Sequence, residues 1–220
     1  MIKFYKTSSP EQVATLLAGR ILDQLGKGRS VLWLISGGSA IQIAVLAAKL
    51  LKQSDLANLS ISLVDERYGQ TGHKDSNWQQ LLRAGFRLEG ASLNPILTGQ
   101  TIEETTASYN IFLKNSITDY KVGLLGMGGD GHTAGILPNS PVFNSDDYAA
   151  SYSGPDYQRI TISPKYLVLL DEAVLFAQGN SKAKALADLQ TNLGVNDQPA
   201  QILKQIPRVA IYNDLMGERI

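Results

Sequence analysis

Short, wholly apolar runs alternate with longer stretches of helical spacing along most of the chain. Val31–Ile35, VLWLI, is apolar at every position, as expected of a strand covered on both faces of a parallel sheet. Residues 61–64 and the run holding Val122, Leu124 and Leu125 come close to that pattern, interrupted by Ser62 and Gly123; residues 173–177 and 209–212 repeat it, and 95–97 reads as a further short strand. Between them lie helices with their own start signals. Ser9 caps a helix with Pro10 at its first position and Gln12 placed for a capping box. Val13, Leu16, Leu17, Ile21 and Leu25 follow helical spacing until Gly26 and Gly28. An Ala-, Ile- and Leu-rich helix runs to Leu51, and a short one opens at Ser76 with Gln79 and closes at Gly85. Thr101 and Glu104 form a capping box before a helix through Ile111, Phe112 and Lys114. After Pro138 the alternation loosens. Residues 139–157 read as a polar surface loop and 159–163, RITIS, as an edge strand, with short helices from Ser163-Pro164 and after Pro199. Alternating strands and helices imply parallel pairing with right-handed crossovers, an α/β fold, and 220 residues suit a single domain spanning 1–220.

Composition acts mainly by exclusion. Twenty basic and twenty acidic residues cancel, so no overall field draws the protein to nucleic acid or to an anionic membrane, and any anion site is local. Cysteine is absent, which removes disulfides, thiolate metal sites and a cysteine nucleophile. The two histidines, His73 and His132, stand in no metal-ligand spacing, so neither a metal nor another cofactor is expected. The N-terminal stretch lacks the apolar core of a signal peptide, and no run approaches a membrane span. A cytoplasmic protein, monomeric or weakly homo-oligomeric, is the expectation.

Candidate chemistry gathers where the predicted strands end. Ser36, Gly37, Gly38 and Ser39 join a buried strand to a helix N-terminus, where free N–H groups and the helix dipole favour an anion. A tight turn capped by Ser39 accounts for the same four residues equally well. Asp65-Glu66-Arg67 closes the next strand, and Arg67 there either reaches an anion or belongs to a solvated charge run. His73, in the polar loop that follows, has no partner in spacing and reads as exposed. The strand at 173–177 runs into QGNSK, with Lys182 in a helix's first turn, where the dipole disfavours a cation that has no anion to meet. The densest stretch is 121–138, KVGLLGMGGDGHTAGILP, in which Asp130 and His132 flank Gly131 at a strand end. Gly126, Gly128 and Gly131 fit G-x-G-x-x-G, but a dinucleotide site also needs a long helix, a second strand and an acid about 20 residues on. Pro138 ends any such helix and the region around Ser151 is polar, so no nicotinamide site is expected. A purely structural turn leaves Asp-Gly-His at its tip unexplained.

Taken in order, SGGS, DER, GMGGDGHTAGILP and G-x-x-K resemble the 6-phosphogluconolactonase family, kin to glucosamine-6-phosphate deaminases, over roughly residues 31–214. DERYGQTGHKDSN resembles the family's DER and its loop ending in Ser-Asn, and Arg159-Ile160-Thr161 its R-I-T strand. The resemblance implies a Rossmann-like three-layer sandwich with a mostly parallel sheet, of the glucosamine-6-phosphate isomerase type. It also implies that Ser36, Gly37, Gly38, Ser39, Arg67 and Lys182 hold a sugar phosphate. His132 and Asp130 would be catalytic, with Asp65, Gly129, Gly131 and Arg159 also in the pocket. Gly135 stands where the family often has serine, Gly69-Gln70 where it often has Val-Pro, and Tyr212-Asn213-Asp214 where tryptophan is common.

The implied reaction is hydrolysis of a phosphorylated sugar lactone in the oxidative pentose phosphate pathway, with histidine as the base that activates water. A histidine suits that task because its ordinary pKa of about 6.5 leaves it largely neutral at cytosolic pH. One alternative is a glucosamine-6-phosphate deaminase. Those enzymes resemble this chain around Asp-Gly-His but carry Asp-Glu-Tyr where it has DER, and Asn-Glu-Pro where it has Ile136-Leu137-Pro138. The other is a non-catalytic sugar-phosphate sensor, which would need a DNA-binding module that neither a basic cluster nor a spare helical segment supplies.

Overall fold

The fully apolar runs become inner strands of an eight-stranded sheet. The computed structural model describes residues 2–219. The first half comprises β1 (Ile2–Lys6), α1 (Pro10–Gly26), β2 (Val31–Ile35), α2 (Ala40–Leu51), β3 (Leu59–Leu63), β4 (Asp65–Arg67), α3 (Asn77–Arg83), β5 (Ser92–Leu93) and α4 (Ile102–Asn115). Then follow β6 (Tyr120–Gly126), β7 (Ala149–Ser153), β8 (Gln158–Ile162), α5 (Pro164–Leu167), β9 (Glu172–Ala177), α6 (Ala183–Leu189), β10 (Arg208–Asn213) and β11 (Glu218–Arg219). The large sheet has the order β11-β1-β10-β9-β6-β2-β3-β5, and its pairings are parallel. Every residue of β2 and β9 is buried, which requires cover on both faces, and this is why these strands carry no alternation.

Local signals place the helices. The Ser9 hydroxyl accepts the Gln12 N–H at 3.1 Å, while Gln12 turns its amide oxygen to the Thr7 hydroxyl instead of closing the box on Ser9. The Thr101–Glu104 box forms completely. Val13, Ala14, Leu17, Ala18 and Ile21 give α1 its buried stripe, which packs on α2. Each such side chain, fully buried, contributes about 1.5–3 kcal/mol when it is a Val, Leu or Ile.

A second, three-stranded antiparallel sheet, β4-β8-β7, corrects several sequence expectations. RITIS is its central strand and not an edge. Residues 139–157 are no simple surface loop: they hold a 3₁₀ turn at Pro141–Asn144 and strand β7, with Val142, Ala149 and Tyr152 buried. DER is itself a strand, paired with RIT as Asp65↔Thr161, Glu66↔Ile160 and Arg67↔Arg159. The short strand expected at 95–97 lies at Ser92–Leu93, and Ile96 and Leu97 are buried outside it. Strand β1, with its mixed IKFYK sequence, inserts between β10 and β11 through pairings that only the folded chain supplies.

Glu66 ties the second sheet to α3. Fully buried, it accepts hydrogen bonds from the Arg67, Asn77 and Trp78 N–H groups and from the Ser76 hydroxyl. Burial raises its carboxyl above the usual range, against the pull of those donors. Glu66→Gln turns one acceptor oxygen into a donor facing other donors. It is expected to cost about 1–3 kcal/mol in urea-unfolding stability.

Candidate active site

The strand order reverses between β2 and β6. From β2 the chain steps outward through β3 to β5, whereas from β6 it steps the other way through β9 to β10. Ligands of open α/β sheets bind at such a switch, outside the carboxyl ends of the strands. The register levels those ends: Ile35 pairs with Leu63 and Leu124, and Gly126 with Phe176. The segments leaving β9, β6, β2 and β3 therefore emerge side by side. A cleft of about 490 Å³ opens there, lined by Ser36, Gly37, Gly38, Ser39, Asp65, Arg67, His132, Arg159 and Lys182 among others.

His132 sits on a loop that closes on itself. Gly128 N–H donates to the His132 carbonyl at 2.9 Å, Gly131 N–H to the Gly128 carbonyl at 3.1 Å, and Met127 bridges Thr133. Asp130 is fixed within that loop. Its Oδ1 accepts the His132 backbone N–H at 3.1 Å and meets His132 Nδ1 at 2.7 Å. Burial alone would raise the Asp130 carboxyl, but the His132 N–H and imidazole outweigh it and hold it below the usual carboxylate range. An ionised Asp130 can only accept, so Nδ1 carries the ring proton and donates it to the carboxylate in a hydrogen bond, which leaves the Nε2 lone pair free to accept another. A Cβ on Gly128 would fall 2.2 Å from His132 Nδ1 and 2.4 Å from Asp130 Oδ1. Gly128→Ala is expected to displace the pair and lower kcat on the order of tenfold, with thermal stability as the control.

The opposite wall is cationic. Arg67 and Arg159 are direct cross-strand neighbours, an arrangement that repels unless an anion intervenes. Among the described residues, no ion pair within 4 Å involves Arg67, Arg159 or Lys182. Among the described residues, Arg67 Nε, Arg159 Nε and Asn77 Oδ1 are buried without a hydrogen-bond partner. The loop 36–39 is not a turn capped by Ser39. Ser39 makes no side-chain cap, and the Gly37, Gly38 and Ser39 N–H groups have no acceptor among the described residues.

Asp65 is buried at the rim of this wall. Burial raises its carboxyl, while Arg159, Arg67 and His132 pull it down. Gly135 gives it room: at φ +67 a Cβ there would lie 2.5 Å from the Asp65 Cβ. Not every expected residue faces the cleft. Gly129, Asp130 and Gly131 lie outside its lining: Asp130 reaches the cleft only through His132, and the missing side chains of the two glycines admit the Ser181 carbonyl and Gln198 respectively. His73 is half-buried, against the reading of exposure, with Nε2 2.9 Å from the Arg67 carbonyl. Two contributors went unread. Asn77 donates to the Asp65 carbonyl at 3.0 Å, and Tyr157 lies against both arginines; only the second sheet brings them to the site.

Comparison with known proteins agrees with this geometry. The family model described as glucosamine-6-phosphate isomerases/6-phosphogluconolactonase matches residues 6–211. A 6-phosphogluconolactonase of Pseudomonas aeruginosa is 32% identical over 84% of this chain and 81% of its own. The crystal structure of a 6-phosphogluconolactonase from Shewanella baltica superposes with a TM-score of 0.82 at 22% identity, over 97% of this chain and 98% of that one. A monomeric glucosamine-6-phosphate deaminase superposes at 0.81 with 18% identity, over 97% of each chain, so the fold alone does not separate the two activities. With a family model spanning nearly all its length and a switch-point cleft to match, the chain belongs to the glucosamine-6-phosphate isomerase/6-phosphogluconolactonase family.

Proposed function

We propose that the protein hydrolyses 6-phospho-D-glucono-1,5-lactone to 6-phosphogluconate. One observation carries the reading: an aspartate-oriented histidine shares a cleft with three cations that, among the described residues, make no ion pair within 4 Å. A lactone is an activated ester, so its opening needs a placed water, a base and donors for the oxyanion. The His132 Nε2 takes a proton from water as the oxygen attacks the lactone carbonyl. Collapse of the tetrahedral intermediate breaks the bond to the ring oxygen, which recovers the proton from the imidazolium. Asp130 holds the ring in the required tautomer. Arg67, Arg159, Lys182 and the 36–39 cradle bind the phosphate, so a remote charge fixes the reacting carbon.

The test is direct. Freshly prepared 6-phosphogluconolactone is given to the pure protein and acid release is followed above the spontaneous rate. Glucosamine 6-phosphate is given separately, with ammonia assayed. Acceleration of the first alone is expected. Ammonia release would assign the deaminase activity, and no turnover of either would leave a binding protein.

A further inference from the structure

We propose that Tyr157 is a positioning residue whose ring face holds the Arg67 and Arg159 guanidinium groups in the arrangement that receives the phosphate. The Arg67 Cζ lies 4.9 Å from the Tyr157 ring centroid and the Arg159 Cζ 5.6 Å, so one ring serves two cations. The two arginines need such a device. They are cross-strand partners; among the described residues their Nε atoms are buried without an acceptor and no carboxylate pairs with either within 4 Å, while Arg67 also donates one guanidinium hydrogen bond to the Asp75 carbonyl at 3.2 Å. The negative face of a π-system attracts both cations without neutralising either. A carboxylate in the same place would occupy the donors the ligand requires.

Tyr157 is itself set by the backbone. It lies at the turn between β7 and β8, where Tyr152 pairs with Arg159 and Ser153 with Gln158. Its carbonyl accepts the Gly154 N–H at 2.8 Å, and the neighbouring Gln158 carbonyl accepts the Tyr68 N–H at 2.8 Å. These bonds fix the turn to both arginine-bearing strands. Half-buried, Tyr157 lines the cleft beside Arg67 and Arg159.

The proposal rests on the assignment of the arginines to the phosphate. Its test therefore reads anion binding separately from turnover. Calorimetry measures Kd for inorganic phosphate and for 6-phosphogluconate in wild type, Tyr157→Ala, Tyr157→Leu and Tyr157→Phe, with Tm recorded for each. Both the alanine and leucine variants should bind about tenfold more weakly, because leucine restores bulk but no π face. Phenylalanine should recover affinity to within about twofold. In turnover, the alanine variant should raise KM for the phosphorylated lactone while kcat stays within about twofold of wild type, and kcat/KM for unphosphorylated gluconolactone should not move. Wild-type affinity in the leucine variant would overturn the proposal, as would a phenylalanine variant as weak as alanine. Equal losses on both lactones, or weaker binding accompanied by a fall in Tm, would also overturn it and make Tyr157 a packing residue. Weaker anion binding in the variants of a protein that opens no lactone would uphold Tyr157 and reject the lactonase reading instead.

Discussion

Replacing His132 by asparagine is expected to lower kcat for 6-phosphogluconolactone by roughly 100- to 10,000-fold, the range a placed general base supplies. Thermal stability and affinity for 6-phosphogluconate should stay near wild type. The side chain is 42% exposed and, among the described residues, hydrogen-bonds only to Asp130, so little folding energy depends on it. A histidine that only pinned the loop would instead lose stability and ligand binding along with rate.

Arg67→Ala should weaken binding of phosphorylated ligands by about 1.5–3 kcal/mol, the value of a charge-assisted hydrogen bond, or roughly 10- to 150-fold. Lys182→Ala should behave similarly, since its ammonium likewise has no carboxylate within 4 Å among the described residues. The discriminating measurement is kcat/KM for phosphorylated and unphosphorylated gluconolactone side by side. Only the former should suffer. Equal loss on both would mean that these cations serve the fold or the chemistry.

Much of the site was legible because its elements are local. SGGS, Asp-Gly-His and the lysine after QGNS are each set by a strand ending and a loop starting, and the parallel register then aligns them without further instruction. The second sheet was not legible. DER has three charges and AASYS few β-formers, and each becomes a strand only by pairing with RIT, 90 or so residues from the former. Nothing in the sequence marked Glu66 as buried, because its partners are mostly backbone N–H groups, which carry no sequence signature. The glycines of the histidine loop meet two different requirements that their spacing does not distinguish. At Gly128 the requirement is space for Asp130 and His132, while Gly131 does adopt φ +79. Tyr157 was passed over inside a supposed loop, although its contacts with Arg67 and Arg159 make it part of the cationic wall.

The central claim is that one cleft brings a phosphate clamp and a free imidazole nitrogen to opposite ends of the same sugar acid. A crystal structure of the protein with 6-phosphogluconate bound tests that most directly. The account predicts the phosphate against the 36–39 backbone, Arg67, Arg159 and Lys182, with a C1 carboxylate oxygen within hydrogen-bond reach of His132 Nε2. A phosphate bound elsewhere, or a C1 carboxylate turned away from His132, would contradict it.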